Sequence, residues 1–109
     1  MDSAAVDELL LYIENDGDLY RQRAQPIMRN LAKKMLKGTY DPAQAPKAWR
    51  YLVDDGAKKY VKEFGSDDWN FSVADRAEAA KQMARRFEDE MKAQGREGVE
   101  HLASGKGMT

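Results

Sequence analysis

The chain has no cysteine and a single histidine in 109 residues. Without thiols there can be no disulfide, zinc–thiolate centre or sulfur nucleophile, and one imidazole leaves few metal or acid–base arrangements. Only three prolines interrupt it, so long helices are allowed. The longest apolar run, Leu9 to Ile13, is five residues, far short of the about 20 that cross a bilayer. No stretch alternates apolar and polar residues for long enough to specify a strand. The Met1-Asp2 start is the reverse of a basic secretory leader. A cytoplasmic protein is expected, with no membrane partner and no cofactor.

What the chain does have is 42% hydrophobic and 34% charged residues. A chain of this length buries roughly 60 to 70% of its unfolded surface, enough for one core and not for two. The periodicity predicts an all-α fold, a single small bundle of four main helices, with a helical domain over 1–95 and a weakly structured tail over 96–109.

Each helix has start and stop signals. In the first, Val6, Leu9, Leu10 and Ile13 follow the i, i+3, i+4, i+7 spacing of one buried face, behind Asp2 or Ser3 as cap. Gly17 is placed to end it in the left-handed conformation, and Asp18 to cap the second. The second runs from about Leu19 to Leu36 and turns Tyr20, Ala24, Ile27, Met28, Leu31 and Met35 inward. Pro26 predicts a kink. In Gly38-Thr39-Tyr40-Asp41-Pro42 a helix stop meets a helix start, with Gln44 completing a capping box unless Pro46 delays the helix by a turn. The third runs to about Phe64 and buries Trp49, Leu52, Val53, Tyr60 and Phe64, with Gly56 on that face where a neighbour can approach closely. Trp69 and Phe71 lie in a loop whose rings close over the core. Ser72 and Asp75 form a second capping box, and Val73, Ala77, Ala80, Ala84, Phe87 and Met91 make the seam of the fourth helix. The first, second and fourth helices are expected to cover the aromatic face of the third.

Net charge is only −1, but its distribution is uneven. Residues 1–18 hold six acids and no base, and residues 19–40 hold six bases and no acid. Arg29, Lys33 and Lys37 share one strip opposite the apolar face. Like charges at i, i+4 cost about 0.2–0.5 kcal/mol per pair, and no acid within that helix relieves them. In the third helix Asp54 and Asp55 are spaced to pair with Lys58 and Lys59, leaving Lys47, Arg50 and Lys62 less compensated, with Tyr51 on the same outward face. Two outcomes are open. The acidic first helix lies along the second and neutralises it, helped by the helix dipole, or the cations face an external polyanion.

Other motifs fail on their spacing. The second helix is too long for a helix-turn-helix. A calcium loop with Gly17 at its sixth position would begin at Tyr12 and end at Arg23. Gly105-Lys106-Gly107 lacks the upstream glycine and the following hydroxyl of a phosphate loop. Paired acids such as Asp54-Asp55 point about 100° apart on a helix and do not converge, and His101 lies in the weakly patterned tail with no identifiable carboxylate partner. No catalytic or metal-binding residue is expected.

The segments Asn15-Asp16-Gly17-Asp18-Leu19-Tyr20-Arg21, Tyr40-Asp41, Lys47-Ala48-Trp49, Gly56 through Gly65, and Phe87-Glu88-Asp89-Glu90 resemble a group of small uncharacterised proteins encoded by tailed bacteriophages. The resemblance covers about residues 8–91 and implies a phage or prophage context. It supplies no functional residue. The leading expectation is a non-enzymatic binding protein that meets nucleic acid phosphates through Arg29, Lys33, Lys37, Lys47, Arg50, Tyr51 and Lys62. The alternative is a protein–protein interaction module, an inhibitor of a host protein or a small assembly factor, whose partner is a host or phage protein or a second copy in a homo-oligomer. Leu36, projected away from the core, would suit such an interface.

Overall fold

The apolar stripes fold as helices, and the chain is all-α in a computed structural model that describes residues 1–105. Helix α1 (Ser3–Glu14) starts where the Asp2 carboxylate accepts the N–H groups of Ala4 and Ala5, and it buries Ala5, Val6, Leu9, Leu10 and Ile13. The joint between α1 and the next helix differs from expectation. Asp16, not Asp18, is the cap, accepting the Leu19 N–H at 2.9 Å. Gly17 is not left-handed and sits in the first turn of the next helix, since a carboxylate in cap position satisfies an amide that the helix cannot.

Helix α2 (residues 17–37) runs on through Gly17–Leu19, a π-helical turn at Tyr20–Ala24 and a regular part at Gln25–Lys37. The π turn lies just before Pro26. Proline cannot donate to the carbonyl four residues back and its ring crowds that carbonyl. The wider turn, in which the Gln25 N–H reaches the Tyr20 oxygen, accommodates both effects. Gly38 ends the helix at φ 74°, with the Thr39 N–H returning to the Lys34 carbonyl at 2.9 Å, as a left-handed C-terminal glycine does.

Helix α3 (Ala45–Phe64) begins a turn later than Pro42 would place it, because residues 42–44 form a tight turn anchored on Asp41 and Pro46 then starts the regular part. Gln44 makes no capping hydrogen bond. Helix α4 (Val73–Ser104) opens on the Ser72–Asp75 capping box as expected. The expected tail over 96–104 is instead helical. Gly95 breaks the geometry at φ 75°, and the chain then resumes the helix and buries Val99 and Ala103. The apolar signal there is thin because only one side of that short stretch meets the core. The rest of the expected flexible tail, from Lys106, lies outside the described residues.

Helix α4 is the spine of the bundle, not α3: α1, α3 and the Gln25–Lys37 part of α2 all pack along it. Val6, Leu9, Leu52 and Val53 are fully buried. Trp49 meets Phe87 at 5.7 Å between ring centroids, and the loop residue Phe71 closes over Tyr60 at 5.2 Å. Gly56 answers a close approach, although by a side chain: a Cβ there would stand 2.6 Å from Cγ1 of Ile13. Tyr20, Phe64 and Val73, expected inside, are 48%, 59% and 64% exposed. Phe64 ends its helix and touches Tyr12 and Tyr60 with one face only.

Candidate functional site

The second and third helices diverge. Gln25–Lys37 packs mainly on α4 and only lightly on α3, so a groove opens between them. Ile27, Leu31 and Ala48 form its apolar floor, Lys33, Lys34 and Lys37 its rim, Asn30 and Thr39 its uncharged polar lining, and Tyr51 its far wall, around about 540 Å³. A second recess of about 400 Å³, lined by Arg21, Gln25, Pro26, Arg29, Asn30 and Lys33, adjoins the first through Asn30 and Lys33. Together they present five cations, one of which, Arg21, is paired with Asp18. Neither recess is lined by a carboxylate.

Of the N-terminal acids Asp18 reaches this surface, pairing with Arg21 at 2.8 Å, and others are engaged elsewhere. Glu14 pairs with Arg86 of α4, Asp16 takes Lys59 of α3 at 2.6 Å, and Glu8 accepts the Tyr60 hydroxyl. The Lys59 ammonium, ahead of the Leu19 N–H, holds the Asp16 carboxyl below the usual carboxylate range. Helix α1 packs on α3 and α4, so it does not relieve the basic strip. Among the described residues, Arg29, Lys33, Lys34 and Lys37 have no carboxylate within 4.0 Å. Arg29 does have a neighbour: its guanidinium lies against Gly105, beside the carbonyl end of α4, where partial negative charge collects.

The structure divides the expected site residues. Lys33, Lys37 and Tyr51 meet at one groove, and Arg29 lines the adjoining recess. Lys47 is exposed one turn before Tyr51. Arg50 is half-buried and committed, its Nε donating to Asp54 at 2.9 Å, and Arg76 donates to the same carboxylate. The pairing expected within α3 is thereby corrected. Asp54 takes Arg50 and Arg76, Asp55 takes Arg23, and Lys59 goes to Asp16. For Asp55 and Lys59 a charge from outside α3 replaces the residue four positions away, and for Asp54 the partners are Arg50, four positions back, and Arg76 of α4. Lys62 stands apart from the groove, in recesses whose linings include Asp54, Asp55 and Glu63.

Lys34 and Arg21 were not singled out in the sequence and belong to this surface. Asn30, Lys34 and Lys37 at i, i+4, i+7 would have shown a second strip beside the first. The loop that carries Thr39 is anchored by Tyr40, whose hydroxyl donates to Glu88 of α4; burial first, and then that carboxylate, push its pKa up. The described residues contain no cluster of three or more His, Asp or Glu able to hold a metal ion, and no helix long and apolar enough to cross a membrane. No family model, curated protein or solved structure matches the chain.

Proposed function

We propose that the protein is a non-enzymatic binding protein that holds nucleic acid by its phosphates on the α2–α3 groove and the recess beside it. The observation that carries this reading is the pair of adjoining recesses that hold four cations with no carboxylate partner among the described residues, Arg29, Lys33, Lys34 and Lys37, beside Arg21, which Asp18 already pairs. Such a surface concentrates positive potential and collects polyanions. Lysines act on phosphate as point charges, so the contacts position the ligand and read little sequence. Lys33, Lys34 and Lys37 are the principal contacts, with Arg29 extending the track and Arg21, paired with Asp18, adding less. Lys47 contributes from the approach to Tyr51, while Arg50 and Lys62 contribute least, because carboxylates already stand beside them. The resemblance to small phage proteins fits a cytoplasmic role in an infected cell.

Fluorescence anisotropy of labelled oligonucleotides over a salt series tests this. Binding should be measurable at low salt, with log affinity falling by about 0.7 to 0.9 per phosphate contact for each decade of salt. Four contacts give a slope of about −3. No retention of either single- or double-stranded oligonucleotide at low salt would overturn the reading. An acidic protein would meet the same cations, and capture of a host protein that survives nuclease treatment and is lost in Lys33→Glu would favour that alternative.

A further inference from the structure

Phosphate contacts account for the rim of the groove and not for its inside. The floor is apolar, made by Ile27, Leu31 and Ala48, and the far wall is a tyrosine that is 73% exposed. Tyr51 stacks on no other ring, and its hydroxyl makes no hydrogen bond among the described residues. One exposed aromatic is ordinary on a protein surface. An exposed aromatic across an apolar trough from three unpaired lysines is a composite surface, suited to a ligand that is anionic along one edge and flat and apolar along the other.

We infer that the groove takes single-stranded nucleic acid, with a base stacked on the Tyr51 ring and the flanking phosphates on Lys33, Lys34 and Lys37. This rests on the nucleic acid reading above and narrows it. In a duplex the base faces are already stacked on one another, and only phosphates and sugars reach a recess. A duplex would satisfy the lysines and leave Tyr51 and the part-exposed Ile27 and Ala48 uncovered unless a base were flipped out of its pair and stack. A single strand offers π faces at no such cost, and every base has one, so stacking tolerates any sequence.

Stacking and phosphate contact respond differently to salt, which makes the inference separable from the reading beneath it. Anisotropy titrations with a labelled 12-nucleotide oligothymidine, the same length of abasic strand and a 12-base-pair duplex should rank the oligothymidine at least about tenfold tighter than either of the others. Tyr51→Ala should weaken oligothymidine binding at least about fivefold, as loss of one base–aromatic stack does, with the salt slope unchanged because no phosphate contact is lost. Tyr51→Phe should restore most of the affinity, and the duplex should not respond to either variant. Equal binding of strand and duplex, or a Tyr51→Ala variant indistinguishable from the parent on oligothymidine, would overturn the single-strand inference and leave phosphate binding standing. Failure of all three probes to bind would overturn phosphate binding itself.

Discussion

The two charged regions of this chain look alike in sequence, each a run of one sign, and the fold treats them in opposite ways. In the acidic N-terminal segment, Asp2 caps α1, Asp16 caps α2 and pairs with Lys59, and Glu14 pairs with Arg86. In the basic part of α2, Lys33, Lys34 and Lys37 meet no carboxylate among the described residues. The difference is one of direction. Helix α1 packs its apolar face on α3 and α4, so that the acids at and just past its end reach cations of those helices, while Gln25–Lys37 lays its apolar side on α4 and leaves its cations over a groove. A run of like charge therefore does not reveal its own partners. They are set by which helix lies opposite, and here most of the acidic run, with Arg21 and Arg23 of the basic one, is engaged inside the molecule, while Arg29, Lys33, Lys34 and Lys37 meet no carboxylate among the described residues.

The largest effect is expected in the region satisfied internally. Asp75 is 5% exposed and accepts the N–H groups of Asp2 and Ser72, closing the capping box and tying the start of α1 to α4. Asp75→Ala leaves both amides without their acceptor, at about 1–3 kcal/mol for each group that stays dry, and should lower the denaturation midpoint more than any variant on the groove. The same carboxyl gives an acid limb. The Asp2 N–H foremost, then the contacts to Ser72, hold its pKa below the ordinary 3.8. Its stabilisation is complete above that value and disappears as pH falls through the lowered one. Thermal melts between pH 5 and pH 2 should show a smaller acid loss in Asp75→Asn than in the parent.

Next comes the contact between α1 and α3. Gly56→Ala sets a methyl 2.6 Å from Cγ1 of Ile13, which has no free direction to move in a packed core, so a loss of about 1–3 kcal/mol is expected in chemical denaturation. Smaller still is the contrast among surface lysines. Lys33→Glu should weaken oligonucleotide binding at least about tenfold at low salt, while Lys62→Glu, in a recess that already holds Asp55 and Glu63, should change it less than about twofold. Equal losses at the two sites would mean that the whole basic middle of the chain acts, and not the groove.

The fold was legible where the signals are local. The Ser72–Asp75 box, the Gly38 stop, the apolar stripes of α1 and α4 and the kink signal at Pro26 each involve residues within a turn or two of one another. Gly38 could be read because a left-handed φ at a helix end favours glycine. The groove was half legible. The strip Arg29, Lys33, Lys37 and the outward face of Tyr51 follow from helical spacing, but their meeting at one groove depends on how far α2 and α3 diverge, which α4 decides. Arg50 shows the limit most clearly. Its compensation comes from Asp54 one turn along the same helix, and that carboxylate is also shared with Arg76, 22 residues further on. No spacing rule announces that Asp54 turns toward these two and not toward Lys58. The helix over 96–104 was hidden in the sequence because Gly95 interrupts the pattern and the helix is apolar on one side alone.

The central claim is that the cations of α2 are held against their own repulsion for a partner outside the chain. Thermal denaturation of Lys33→Glu, read beside its oligonucleotide affinity, tests it most directly. The substitution turns two repulsive i, i+4 pairs, with Arg29 and Lys37, into attractive ones, each worth about 0.2–0.5 kcal/mol. The expected result is a variant slightly more stable than the parent that no longer binds. A variant that melts earlier while binding unchanged would show that Lys33 already has its counter-charge within the protein, and would contradict the claim.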